Sequence, residues 1–311
     1  MSTLWAIEDV AGVVVPLTGE DGIDELGVSG HLLPPYELLS QETYGGNAKL
    51  DRRGAGERTR LVRSRPRQML VPVLVQAGDR SEAALDARLE AFVERLNPEE
   101  GPVRLLATKT DDQGVPLMDA RGEVSTRALT AFYVGGAEGS ARGEENGGWW
   151  AEVPLVFRAD DPYFRALVPA SRVFQTSEPV SWLPILPERL GSASLLGEST
   201  EHNGGSVRTY PVLRLVVPGT RLTFANRTTG EVWALDTTGA DGQPVTVDTR
   251  PTLLGGGRTA TREDGLSLYG ELTGDPWPLV RGRNDLTITV AGETPGSTRV
   301  ELTYDLRYST A

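Results

Sequence analysis

The stretch "VFRADDPYF" (156–164) sets two adjacent aspartates between an apolar run and a proline flanked by aromatics. Paired carboxylates are where general acid–base chemistry would be sought, because a shared proton splits their affinities. Neighbouring side chains on a strand point to opposite faces, however, so Asp160 and Asp161 cannot share a proton there. The Asp-Pro step also disfavours continued regular structure and starts a turn. Asp160, Asp161, Pro162 and Tyr163 are therefore expected to end a strand and form a joint between domains.

Other chemistry-bearing residues are sparse. The two histidines, His31 and His202, are too few for a three-histidine zinc site, and neither lies in H-E-x-x-H. No G-x-S-x-G elbow accompanies them. "LLGGGRTATRED" (253–264) is glycine-rich but lacks the G-K-[ST] ending that cradles phosphate, and reads as a β-turn. "DDQG" and "TGADGQP" lack the alternating acidic spacing of a calcium loop. Cysteine is absent, which excludes disulfides, thiolate nucleophiles and Cys-ligated zinc. The expectation is a chain without catalytic residues, metal or cofactor. Trp149, Trp150, Trp233 and Trp277 could offer flat rings to a sugar, with Trp233 and Trp277 the candidates on the second domain; the competing role for all four is core or interface.

Composition narrows the class further. A chain of 311 residues is long enough for two domains with separate cores. A net charge of −12 argues against sequence-independent nucleic-acid binding, which needs a basic footprint. Only Lys49 and Lys109 are lysines, and the other basic side chains are arginine. A GC-rich coding sequence produces that bias, as do interfaces that use the guanidinium fork. "MSTLWAIEDV" has no basic region followed by an apolar stretch, so no secretory leader is expected, and no apolar run is long enough to insert in a membrane.

The elements that must position these residues are mostly strands. One helix stands out in "GDRSEAALDARLEAFVERLNPEEG", where Leu85, Leu89, Phe92, Val93 and Leu96 recur at helical spacing. Asp79 or Ser81 can cap it, and Asn97-Pro98 stops it. "RQMLVPVLVQ" (67–76) reads as a strand at an edge or with a bulge, because Pro72 cannot donate to a ladder. "VRLLATKT" (103–110), "RALTAFYV" (127–134) and "WWAEVPLVF" (149–157) are further strands, making an α+β first domain. Beyond a boundary near 170, "YPVLRLVV", "RLTFAN", "EVWALDT", "PVTVDT", "LSLYGEL" and "DLTITV" follow at near-regular spacing. "RVELTYDLRYS" (299–309) alternates throughout, with Val300, Leu302, Tyr304, Leu306 and Tyr308 on one face. That is the pattern of an antiparallel β-sandwich, so the chain as a whole is mainly β.

Three stretches in this order resemble the distal tail protein family of long-tailed phages with non-contractile tails. They are residues 64–114, from "SRPRQMLVPVLVQ" through the helix to "DDQG"; the D-P-Y-aromatic segment at 161–164; and "NGGSVRTYPVLRLVVPGTRLTFANRTTGEVWAL", followed by "PWPLVRGRNDLTITV". The resemblance covers roughly residues 60 to 311. It implies a ring-forming belt β-sandwich with one helix and a hairpin over 1–170, residues 30–66 being an insertion or arm. It implies a galectin-like sandwich over 171–311. It further implies a homo-oligomeric ring, a hexamer, in a virion tail tip assembled in the host bacterial cytoplasm. The ring's partners would be the tail tube protein, the hub or tail-associated protein and the tape measure protein, with no stable nucleic-acid binding and no membrane insertion. A closing ring needs two different surfaces of one domain. Arg65, Arg67, Met69, Val71 and Val73 on the strand 67–76 are the candidates for one of them; the alternative is a solvated loop leading into a core strand. A carbohydrate-binding module that contacts the host surface through its second domain is the competing function.

Overall fold

The computed structural model describes residues 2–40, 59–78, 81–145, 148–175, 195–251, 256–292, 294 and 297–311. The chain divides into two compact units, Met1–Phe164 with Ser309–Ala311, and Arg165–Tyr308. The division falls a little before residue 170, and the last three residues return to the first unit. The strict alternation of 299–309 gave no sign of that return.

The first unit holds β1 (Ser2–Glu8), β2 (Val14–Pro16), β3 (Ile23–Glu25), β4 (Tyr36–Ser40), β5 (Thr59–Ser64), β6 (Arg67–Ala77), α1 (Glu82–Glu94), β7 (Val103–Thr110), β8 (Thr126–Gly135), β9 (Ala141–Glu145) and β10 (Gly148–Ala159). Hydrogen bonding runs unbroken through the antiparallel order β2-β1-β7-β8-β10-β6-β3, with β9 also on β10. The strands form two hydrogen-bonded sets, β2-β1-β7-β8 and β8-β10-β6-β3, which share β8 through a bulge. Tyr133 pairs with Phe157 and Gly135 with Val156, leaving Val134 as the extra residue that bends the sheet. The ends of the segment 30–66 that are described form a ladder of their own, β4 on β5, while 41–58 lie outside the described residues.

Period two fixes which side chains reach the core. On β6, Met69, Val71, Val73 and Val75 are buried, and Leu70, Pro72, Leu74 and Gln76 face the other way. On β10, Ala151, Val153, Leu155 and Phe157 repeat the pattern in register. Helix α1 packs on β6 and β10. Its Leu85, Leu89 and Phe92, with Leu96 just beyond, are buried as the apolar stripe requires, at about 1.5–3 kcal/mol for each large side chain. Ser81 is the cap: its Oγ accepts from the Ala84 N–H at 3.3 Å. Asp79, the other cap candidate, lies outside the described residues.

Strand β6 is neither an edge nor bulged. It pairs with β10 along its whole length and with β3 on the other side. Pro72 is accommodated by sitting directly opposite Pro154, a pair in which neither residue needs to donate to the other. The Pro72 carbonyl faces the opposite side, where it accepts from Leu26 N–H just past the short strand β3. The N–H that Pro72 lacks would point to that same outer side, so the ladder between β6 and β10 loses no bond to either proline.

Arg165–Tyr308 is built from β11 (Phe164–Ala166), which begins at the division, then β12 (Ala170–Gln175), β13 (Leu195–Asn203), β14 (Val212–Val216), β15 (Arg221–Asn226), β16 (Glu231–Asp236), β17 (Val245–Asp248), β18 (Thr259–Arg262), β19 (Leu272–Thr273), β20 (Gly282–Ala291), β21 (Arg299–Tyr304) and β22 (Arg307–Tyr308). Two five-stranded sheets, β12-β21-β14-β17-β18 and β13-β20-β15-β16-β19, face a common core. Leu213, Leu215, Val300 and Leu302 come from one sheet, and Leu222, Phe224, Leu235, Leu286 and Ile288 from the other. The alternation at the chain's end breaks at Asp305-Leu306, between β21 and β22, which buries Arg307 where a wet side chain was expected. "LSLYGEL" is largely a 3-10 turn at Tyr269–Glu271 rather than a strand; Leu268 enters the core and only Leu272–Thr273 pair with β16.

Candidate functional site

Asp160 and Asp161 do not converge. Asp160 lies beyond the end of β10, exposed and 3.5 Å from Arg158. Asp161 is half-buried and acts on Arg67 instead. Pro162 is buried, Tyr163 half-buried, and the four residues immediately precede the division between Phe164 and Arg165.

Arg67 is only 1% exposed, which removes it from any surface. Its Nη1 donates to the Gly30 carbonyl at 3.2 Å and its Nη2 to the Ser309 carbonyl at 2.6 Å. The guanidinium carbon lies 5.0 Å from the Phe164 ring centroid, within cation–π range. Burial pulls its pKa down to about 10, against the upward influence of Tyr36, Tyr163 and Asp161. Around it, Trp5 meets His31 edge-on at 5.8 Å, and Ala311 N–H donates to the His31 carbonyl at 3.1 Å. Arg127 Nη1 donates to the Thr310 carbonyl at 2.9 Å and to that of Ala311 at 3.2 Å. The first unit thus holds residues 309–311 with two arginines and a main-chain bond. Basic residues at 67 and 127 were visible in the sequence, but nothing local links them to a segment more than 180 positions away.

The other interface candidates need the same correction. Met69, Val71 and Val73 are buried in the first unit beside Arg67 and cannot meet another molecule. Arg65 alone of the five is exposed, and its Nη2 donates to Glu37 Oε1 at 2.9 Å. The available face is the alternate one. Leu70, 40% exposed, stands opposite Val156; Arg158 stands between Gln68 and Phe132, which is also 40% exposed; Val134 projects from the bulge at 58%.

A second exposed feature is the connection from β7 to β8. Two Asp-led turns follow one another: Asp111 Oδ1 accepts from Gln113 and Val115 N–H, and Asp119 Oδ1 from Arg121 and Glu123 N–H. The bridges Thr110–Pro116 and Met118–Val124, with Leu117 N–H on Lys109 and Ser125 N–H on Leu117, make a small three-stranded arm. Val115, Met118 and Val124 are exposed along it.

The tryptophans named for sugar contact are core residues. Trp233 is 1% and Trp277 3% exposed. Phe224 stacks on Trp277 at 4.6 Å and meets Trp233 edge-on at 5.5 Å, so neither indole has a free face. Alternation alone placed them on a strand and an approach loop without saying which side was wet. His202 is exposed. Among the described residues no group of three or more histidines and carboxylates is placed to hold a metal ion, and no helix is long and apolar enough to cross a membrane.

A helix-backed antiparallel sheet joined to a five-on-five antiparallel sandwich is thus the class of structure to compare. No protein-family model matches the chain, and no curated protein matches it. The chain is similar to the crystal structure of the Dit protein of SPP1, described as a paradigm of the hub adsorption apparatus in phages that infect Gram-positive bacteria. The alignment covers 98% of both chains at 14% identity with a TM-score of 0.59. A chain of the phage P2 baseplate in its activated conformation aligns over the full length of both at 10% identity and a TM-score of 0.49. At such identities it is the fold that is shared, and this chain has the mainly-β fold of the SPP1 protein.

Proposed function

We propose that the protein is a structural, non-enzymatic component of a phage tail tip. In this reading its first unit closes with other copies into a ring, a hexamer, that joins the tail tube to the hub, and the tape measure protein occupies the lumen. The galectin-like second unit belongs to the same ring, and the particle is assembled in the host cytoplasm. The observation that carries the reading is the likeness to the SPP1 protein over 98% of both chains. The motifs at 64–114, 161–164 and 203–235 support it from the sequence side. The net charge of −12 fits a lumen through which DNA passes without adhering, since like charges repel.

A closed ring of identical subunits requires two complementary surfaces on each. The sheet face around Leu70, Phe132 and Val134 and the arm bearing Val115, Met118 and Val124 are the pair we assign to that role. Light scattering behind a sizing column, at several concentrations, tests the ring. A mass near six protomers with an annulus in negative stain is the expected result. A monomer at every concentration, with the tube and hub proteins absent or present, overturns it.

A further inference from the structure

A cavity of about 400 Å³ opens at one end of the first unit's sheet, where β10 leaves β9. Trp149, Trp150, Gln76, Glu152, Leu26 and Leu74 line it. The ladder sets their spacing: Trp150 stands directly opposite Gln76, and Glu152, two residues on and so on the same face, opposite Leu74. Both indoles are half-exposed, unlike those of Trp233 and Trp277.

Trp150 is held by its neighbour. It pairs with Gly143 of β9, and a Cβ at that position would lie 2.7 Å from Cζ2 and 2.9 Å from Cε2 of the indole. The ring lies over the bare glycine backbone, with one side supported and the other toward the cavity. Among the described residues the Gln76 carboxamide and the Glu152 carboxylate make no hydrogen bond or ion pair.

We infer that this cavity is a binding site for a neutral saccharide. A pyranose ring has an apolar C–H face that packs on an indole and a rim of hydroxyls that need a carboxylate and an amide in reach. The cavity supplies both, in a volume within the ordinary range for small ligands. Phosphorylated or otherwise anionic ligands are disfavoured, because among the described residues no lysine or arginine lines it and Glu152 would repel them. An apolar ligand does not fit either, since it would strip water from Glu152 and Gln76 without replacing their bonds. The site lies in the unit that the sequence did not favour for sugar contact.

The test is intrinsic fluorescence and titration calorimetry on the full chain. The probes are methyl glycosides of glucose, galactose, rhamnose and N-acetylglucosamine, with their di- and tetrasaccharides. At least one is expected to give saturable quenching with a Kd on the order of 1 mM or tighter, as a single stacked ring with two polar contacts provides. Trp150→Ala should weaken it about tenfold or more, Glu152→Gln by a smaller factor, and Trp233→Phe not at all. Should Trp150→Ala fail to fold, Glu152→Gln and Gln76→Ala carry the test alone. No saturable response from any probe overturns the site, as does a response that survives both of those substitutions. A drop in solution mass on Trp150→Ala with no saccharide response also overturns it and assigns the rings to a contact between subunits.

Discussion

The Arg67 guanidinium donates to the Ser309 carbonyl at 2.6 Å, tying the first residue of β6 to the chain's last described segment. The same group holds Gly30 and faces the Phe164 ring, so it gathers three distant parts of the first unit. A buried cation whose acceptors are removed keeps its desolvation cost and loses its compensation. Arg67→Ala reverses the problem, leaving two buried carbonyls unmet, and should cost about 3 kcal/mol. Arg67→Lys should recover little, because one ammonium cannot reproduce the planar fork. Truncation after Tyr308 should match Arg67→Ala in its effect. Two units need not unfold together, so hydrogen exchange read peptide by peptide is the suitable measurement. Peptides from β1 and β6 should lose protection while those from β14 and β20 keep it; equal protection in all of them would contradict the role given to Arg67.

Gly136 follows the bulge in β8 with φ of 112°. A Cβ there would lie 1.9 Å from the Pro154 carbonyl oxygen, on the side of β10 that faces away from Pro72. The Pro154 carbonyl therefore packs against a position that admits only glycine. Gly136→Ala should cost about 3 kcal/mol or more, through both the backbone conformation and the clash. Gly114→Ala, where φ is 80° and an added Cβ would meet nothing, should cost only the conformational part, about 1 kcal/mol. Thermal melts of the two variants should separate clearly. Similar melting temperatures would mean that the chain relaxes around Pro154.

Asp264 in the turn after β18 accepts from Arg262 Nε at 2.9 Å, again from Arg262 Nη2, and from Leu266 N–H at 3.1 Å. The hydrogen bond from Arg262 is the largest cause that holds its pKa near 2, below the ordinary 3.8. The folded value lies below the unfolded one, so the interaction contributes fully above about pH 4 and is lost as pH falls through 2. The group is exposed, which keeps its effect on stability small and sensitive to salt. A carboxyl NMR titration should place the Asp264 midpoint near 2, and Arg262→Gln should move it up toward 3.8. A midpoint that does not respond to Arg262→Gln would remove the arginine as the cause.

The parts of the fold that the sequence disclosed are those with a strong local period. The stripe Leu85, Leu89, Phe92, Leu96 gave α1, and alternation gave β20 and β21, because in each the buried face repeats within a few residues. What stayed hidden is non-local. Pro72 looked like an edge marker because its partner Pro154 lies 82 positions away. Met69, Val71 and Val73 looked available for a neighbouring subunit because an apolar face reads the same whether a helix of the same chain or another molecule covers it. Trp149 and Trp150 could not be told from Trp233 and Trp277 until burial was known, since all four are indoles among apolar neighbours.

The two faces of β6 give the assembly proposal its sharpest test. Leu70 and Met69 are adjacent, yet the first is 40% exposed and the second 0%. Met69→Glu places a carboxylate in the core beside Val71 and Val73 and should unfold the first unit, at a cost of about 4 kcal/mol or more. Leu70→Glu with Phe132→Glu leaves the core untouched and should change monomer stability by about 1 kcal/mol or less. If the outward face is a ring contact, the double variant should remain folded by circular dichroism but lose the large species in light scattering. Met118→Asp on the arm should do the same, since a heterologous contact fails when either of its surfaces is spoiled. Rings that persist in both variants would place the contact elsewhere on the first unit, with the exposed Val10, Val13 and Val14 beside β2 as the next surface to alter.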